Sequence, residues 1–92
     1  MNDLTFIHDA EKHQFRLMMG DEFALIDYTI REGRWYLVHS EVPYDLRGQG
    51  IGKVLVEKTF EYIEAHQIDA VAVCSYIKLV AQRSPKWRNV IG

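Results

Sequence analysis

One cysteine, Cys74, and two prolines, Pro43 and Pro85, are all that 92 residues contain of either type. A single thiol cannot staple a fold, so a disulfide framework is excluded and a reducing, cytoplasmic setting is expected. Charge of one sign is lacking too. Eleven basic against 13 acidic residues leave a formal net charge of −2, with no block dense in Lys or Arg. That excludes a phosphate-backbone binder, so no nucleic-acid partner is expected. No stretch approaches the ~18 apolar residues of a membrane span, and Met1-Asn2-Asp3-Leu4 is not a basic region leading into an apolar run, so neither a membrane nor a targeting peptide is expected. The histidines at 8, 13, 39 and 66 have no ligand spacing and no cysteine or carboxylate cluster beside them, and no metal is expected. Repeats, linkers and biased segments are also missing, which leaves one small domain over residues 1–92.

What remains, 48% hydrophobic and 26% charged, is ordinary globular composition with a clear change of period. The first half alternates. Leu4, Phe6 and His8, then Phe15 and Leu17, mark two strands; Gly20-Asp21 offers a type II′ hairpin turn into a third, on which Ala24, Ile26, Tyr28 and Ile30 share a face. Glu32-Gly33 turns the chain into a fourth strand, Arg34 to Val42, with Trp35, Leu37, His39 and Glu41 on one side and Tyr36, Val38, Ser40 and Val42 on the other. Past Pro43 the period becomes helical. Lys53, Glu57, Glu61 and Glu64 form one polar stripe from Gly50 to about His66, and Ile51, Val54, Leu55, Phe60, Tyr62 and Ile63 fill the rest. The continuous apolar run Ala70 to Cys74 predicts a strand covered on both faces. Tyr76 to about Gln82 predicts a last helix, with Ser75 as N-cap and Ser84-Pro85 as its end, followed by a tail docked through Trp87. The fold class is α+β: an antiparallel four-stranded meander, then a right-handed β-α-β crossover to a parallel fifth strand and a C-terminal helix.

The densest chemistry lies between the fourth strand and the long helix, in Leu46-Arg47-Gly48-Gln49-Gly50-Ile51-Gly52-Lys53. Three glycines in five residues permit a tight turn and leave backbone N–H groups uncovered at the positive end of a helix dipole, where a phosphate binds. Three residues, not four, separate Gly48 from Gly52, and Val54 follows Lys53, so this is no Walker loop; Lys53 also stands where the third glycine of a dinucleotide fingerprint belongs. The bland alternative is a flexible loop that caps a helix.

Arg47-x-x-Gly50-x-Gly52, after a strand ending in Val42-Pro43, resembles the acetyl-CoA signature of the GNAT acetyltransferase superfamily. Together with His39-Ser40-Glu41-Val42-Pro43 and Cys74-Ser75-Tyr76 it resembles the small YjdJ-like branch of that superfamily over nearly the whole chain. Ser40 departs from the threonine common in relatives. The resemblance implies a minimal GNAT fold and an acetyl-CoA-dependent N-acetyltransferase. It implies a pyrophosphate held by the amides of Gln49, Gly50, Ile51, Gly52 and Lys53, with Arg47 flanking, the pantetheine arm beside Glu41 and Val42, and Gly48, Ser75 and Tyr76 among the cofactor-binding residues.

Acetyl transfer needs a base for the amine, an oxyanion donor and a proton for the departing thiolate. His39 suits the base, its alternative being a strand histidine bonded to a carbonyl; Glu41 suits a water relay or is a solvated strand-end charge. Cys74, before a helix N-terminus, suits an acetyl acceptor or is a small core hydrophobe; direct attack by the amine competes with an acetyl-Cys74 route. Tyr76 suits the proton donor, as a tyrosine on the corresponding helix does in many GNAT enzymes, or packs beside Val80. Full-size GNAT proteins place helices between their first two strands, whereas only Asp9 to Gln14 is available here. The acceptor side is therefore expected to be open, fitting a protein lysine or N-terminal amine. A non-catalytic acetyl-CoA-binding or sensing module, and a structural interaction domain without cofactor, are the alternatives from other classes. The oligomeric state is not legible.

Overall fold

The computed structural model describes residues 4–92, so Met1, Asn2 and Asp3, and with them the N-terminal part of the expected 1–92 domain, lie outside the described residues. Five strands, β1 (Thr5–Asp9), β2 (Gln14–Met19), β3 (Glu22–Arg31), β4 (Arg34–Glu41) and β5 (Ala70–Ala72), form one sheet in sequence order. The first four are antiparallel neighbours and β5 runs parallel to β4. Helix α1 (Ile51–Ala65) makes the crossover, and α2 (Ser75–Arg83) and the short α3 (Pro85–Arg88) close the chain. This is the mixed sheet with helices that the period change predicts. At Gly20-Asp21 only the glycine has positive φ (+61°), as a type II′ turn requires; at Glu32-Gly33 both residues do (52° and 80°), which makes that turn type I′.

Alternation buries one face. Phe15, Leu17 and Met19 of β2 and Ala24, Ile26 and Tyr28 of β3 are buried, as are Leu37, Ala70 and Ala72. Helix α1 lies over β2 and β3, and α2 over β4 and β5. From α1, Leu55, Val56, Thr59, Phe60 and Ile63 enter the core; the Thr59 hydroxyl is satisfied by the Leu55 carbonyl at 2.9 Å. Each fully buried Phe, Leu or Ile contributes about 1.5–3 kcal/mol, and Trp87, 3% exposed against Phe60, docks the tail. His8 reaches from β1 to Tyr62 of α1 (Nδ1 to Oη, 2.9 Å) and Tyr28 of β3 (Nε2 to Oη, 2.6 Å).

Ile30 shares the face of Tyr28, as its spacing predicts, and is 41% exposed because it stands two residues from the hairpin turn, where the helices no longer cover the sheet. Three expectations are corrected. The alternation of β4 breaks at Val38, which has no partner on β3: Leu37 pairs with Tyr28, yet Ser40 pairs with Ile26, so both point to the covered face. His39 and Glu41, opposite Asp27 and Leu25, point to the other. A bulge of one residue inverts every side chain that follows it. Strand β5 is three residues long and covered on one face only, since both α1 and α2 pack there; Val73 is 50% exposed. Finally, Cys74, not Ser75, is the N-cap of α2.

Candidate functional site

The bulge has a second effect. Pairing of β4 with β5 ends at Leu37 and Ala72, and the Leu37 carbonyl accepts both the Val73 N–H (2.9 Å) and the Cys74 N–H (3.0 Å). Beyond that pinch β4 runs on beside β3 to Glu41, while the chain after β5 turns into α2. The two strands part, and from Val38 to Glu41 the edge of β4 on the β5 side has no neighbouring strand.

A loop then returns over the gap. After Pro43 and a single 3₁₀ turn, Tyr44–Leu46, the Arg47 guanidinium Nε donates to the Val42 carbonyl at 3.2 Å and lies over the Tyr44 ring. Gly48 (φ 84°) and Gly50 (φ 78°, ψ 9°) are left-handed, the second as N-cap of α1. No side chain caps that helix, and the amides of Ile51, Gly52 and Lys53 have no acceptor within it. Gly52 is helical and serves a different need: a Cβ there would stand 3.3 Å from the Tyr76 hydroxyl and 3.3 Å from Val42 Cγ2. Its hydrogen atom lets Tyr76 of α2 and Val42 of β4 close over the first turn of α1.

Between these elements lies a cleft of about 680 Å³. His39, Glu41 and Val42 line its strand side, Arg47, Gly48, Gly50, Ile51 and Gly52 its loop side, and Tyr76 its helix side. Nine residues expected from the sequence therefore converge. Four do not present side chains to it. Gln49 folds back onto the Asp45 carbonyl (3.4 Å), Lys53 lines a neighbouring groove, Ser75 is exposed at the start of α2, and Cys74 sits one contact behind the wall.

That contact is Ser40, which the alternation of β4 assigned to the wrong face. Its Oγ lies 3.4 Å from Cys74 Sγ. Burial raises the Cys74 pKa, but the Ser40 hydroxyl and the N–H groups of Ile77, Tyr76 and Ser40 favour the thiolate and hold the thiol below its ordinary value. Leu46 is the other lining residue that sequence reasoning missed; only a signal for the bulge would have found Ser40. On the outer face His39 Nε2 and Glu41 Oε2 are 3.0 Å apart. This hydrogen bond raises the His39 pKa, helped by the charges of Glu41 and Asp27. Arg16, Gln14 and Asp27 continue the polar strip: Gln14 Nε2 donates to Asp27 Oδ1 at 2.9 Å, and Gln14 Oε1 accepts from the Arg16 guanidinium at 2.9 Å. Among the described residues no group of three or more His, Cys, Asp or Glu forms a metal cage, and no helix is long and apolar enough to cross a membrane.

The arrangement thus joins an unshared strand edge, free helix-terminal amides, a thiol biased toward thiolate and a histidine with a raised pKa. Comparison with known proteins agrees with it. Protein NATD1 of Xenopus tropicalis and of Mus musculus is 27% identical over 81 residues, 85% of this chain and 74% of the relative, and that of Danio rerio is 26% identical over the same length. Residues 14–90 match the family described as GCN5-related N-acetyl-transferase. That span runs from the start of β2 into the C-terminal tail and includes the whole cleft, and on it the chain belongs to the GCN5-related N-acetyl-transferase family.

Proposed function

We propose that the protein moves the acetyl group of acetyl-CoA onto an amine of a protein or peptide, as a member of the small YjdJ-like branch acting in the cytoplasm. The observation that carries this is the continuity of the cleft from the unshared edge of β4 to the uncapped N-terminus of α1. The residues fit the substrate. Nothing lies within 4 Å of a Cβ placed at Gly48 or Gly50, so the backbone there is open to a pyrophosphate; the amides of Ile51, Gly52 and Lys53 supply donors and Arg47 a flanking cation. A pantetheine arm would lie along Val38 to Glu41, leading its thioester toward Ser40 and Cys74.

His39, held by Glu41, takes a proton from the acceptor amine as its nitrogen attacks the thioester carbon. The carbon–sulfur bond breaks, and the Tyr76 hydroxyl returns a proton to the departing thiolate. The lowered Cys74 thiol favours a second route in which its thiolate attacks first and the amine then attacks acetyl-Cys74. Because β1 and β2 are joined by residues 10–13 alone, no helix walls the acceptor side there, and an extended or protein-borne amine has room to approach. Incubation with acetyl-CoA and a lysine-containing peptide tests the proposal. Peptide should gain an acetyl group in step with free CoA thiol, and a Gly50→Val chain should lose both. Binding of acetyl-CoA with no peptide acetylation above the uncatalysed rate would instead make this a binding or sensing module.

A further inference from the structure

Among the described residues no second layer covers the sheet on the side away from the helices, and a polar strip crosses that outer face. Asp9 of β1 pairs with Arg16 of β2 at 3.0 Å, Arg16 also donates to Gln14, and Gln14 donates to Oδ1 of Asp27 on β3. Asp27 stands directly opposite His39 of β4, whose Nε2 is bonded to Glu41. The strip thus ends on two residues that also line the cleft. Its charges do not cancel. Arg16 is answered by Asp9 at the β1 end, whereas Asp27 takes part in no ion pair among the described residues, and its Oδ2 accepts no hydrogen bond from them. The next cation along β3 is Arg31, four residues away. Where β4 and β5 part, Val38 and Val73 are 38% and 50% exposed and give the strip an apolar border.

We propose that the acceptor segment lies extended across the outer face of β4 and β3, with its reactive lysine at His39 and a cationic side chain two residues away on Asp27, which makes Asp27 a specificity residue for the acceptor. The inference rests on the peptide-acetylation reading above and adds to it the residue that reads the acceptor's sequence. Spacing and charge carry it. Side chains directly opposite on neighbouring strands have Cβ atoms ~4.5–5.5 Å apart. An extended chain advances ~3.3 Å per residue with successive side chains on opposite sides, so residues two apart lie ~6.6 Å from each other on one side. That step matches the one from His39 to Asp27, and the residue between points away. Glu41 is the other carboxylate beside the base, but it is engaged by His39. Asp27 keeps an open oxygen and is held in place by Gln14. Because residues 10–13 alone join β1 to β2, nothing from that connection walls off the approach.

Steady-state acetylation at saturating acetyl-CoA tests it, with N-terminally blocked peptides that hold one lysine and, two residues from it, either arginine or its neutral isostere citrulline. The native chain should show a KM about three- to fivefold lower for the arginine peptide at similar kcat, and the difference should shrink as salt rises. Moving the arginine to the position next to the lysine should remove the difference. Asp27→Asn keeps an oxygen for Gln14 and removes the charge, and should bring the two KM values within about twofold of each other. Both peptides meet the same His39, so any effect of the substitution on that base or on folding cancels in the ratio. Glu61→Gln, at an exposed position on α1 across the sheet, should keep the full difference. Equal KM values for the two peptides on the native chain overturn the assignment and leave the acetyl-transfer reading standing, as does an Asp27→Asn chain that keeps the difference. A dimer of the native chain that Val73→Asp dissolves would give this face to a second copy and overturn it as well. Binding of acetyl-CoA without acetylation of either peptide overturns both readings.

Discussion

Gly50 and Gly52, two residues apart, serve different ends, and alanine separates them. Gly50 has φ 78° with nothing within 4 Å of a Cβ, so alanine there is penalised by conformation alone. Holding Ala in the left-handed region costs roughly 1–2 kcal/mol, which lowers the melting temperature by ~4–16 °C for a chain of this size. Gly52 has helical φ, so alanine there avoids the helical penalty of glycine, a gain of up to about 1 kcal/mol. Against it, the new Cβ meets the Tyr76 hydroxyl and Val42 Cγ2 at 3.3 Å each, and both must retreat by a few tenths of an ångström. Tyr76 is 40% exposed and is able to move, so the two effects nearly cancel in stability. They do not cancel in the cleft, whose closure over α1 depends on that contact. Gly52→Ala should keep the melting temperature of the free protein within a few degrees yet bind acetyl-CoA at least about fivefold more weakly, a loss of about 1 kcal/mol. Thermal denaturation with and without acetyl-CoA reads both quantities. Unchanged affinity in Gly52→Ala would refute the claim that Tyr76 and Val42 meet over this glycine to shape the site, and an undestabilised Gly50→Ala would refute the left-handed N-cap.

Cys74 should alkylate faster near neutral pH than an ordinary thiol, and Ser40→Ala, by removing the hydroxyl that favours the thiolate, should slow it; an unaltered rate would detach Ser40 from Cys74. If the thiol carries the acetyl group, mass spectrometry of the chain with acetyl-CoA should find one hydroxylamine-sensitive acetyl that is missing in Cys74→Ala, whereas full activity of Cys74→Ala would establish direct transfer. Burial, with the charges of His66 and His13, lowers the His8 pKa from its ordinary 6.5, so its contribution to stability is present above 6.5 and is lost as the pH falls below that value. The urea midpoint should drop between about pH 7.5 and about pH 5.5, and less so in His8→Phe; an equal drop in both would remove His8 from the account. Steady-state comparison should favour basic lysine peptides over free polyamines, with rates on the peptides falling as salt rises; a micromolar KM for one small amine would contradict the open acceptor side.

Much of the fold was legible because period two and period 3.6 divide cleanly at Pro43, and because Gly20 and Gly33 mark their turns. The glycine loop was legible for the same reason: Gly48 and Gly50 carry positive φ and Gly52 a close contact, three demands that only glycine meets together. The bulge at Val38 was not. Nothing in Leu37-Val38-His39 marks Val38 as the residue without a partner, since either a strict two-residue period or a bulge fits two apolar residues followed by polar ones, and Ser40 was thereby placed away from Cys74. The cover on β5 was overestimated for a related reason. An apolar run reads alike whether a second layer exists or not, and Val73 shows that here it does not.

The central claim is that the parted edge of β4 and the free amides of α1 together hold acetyl-CoA. Titration of isotope-labelled protein with acetyl-CoA, following each backbone amide by NMR, tests it most directly. The account predicts saturable shifts concentrated at Gly50 to Lys53 and at Ser40 and Glu41, with the β1–β2 hairpin undisturbed. Shifts confined to other surfaces, or none at saturating acetyl-CoA, would contradict it.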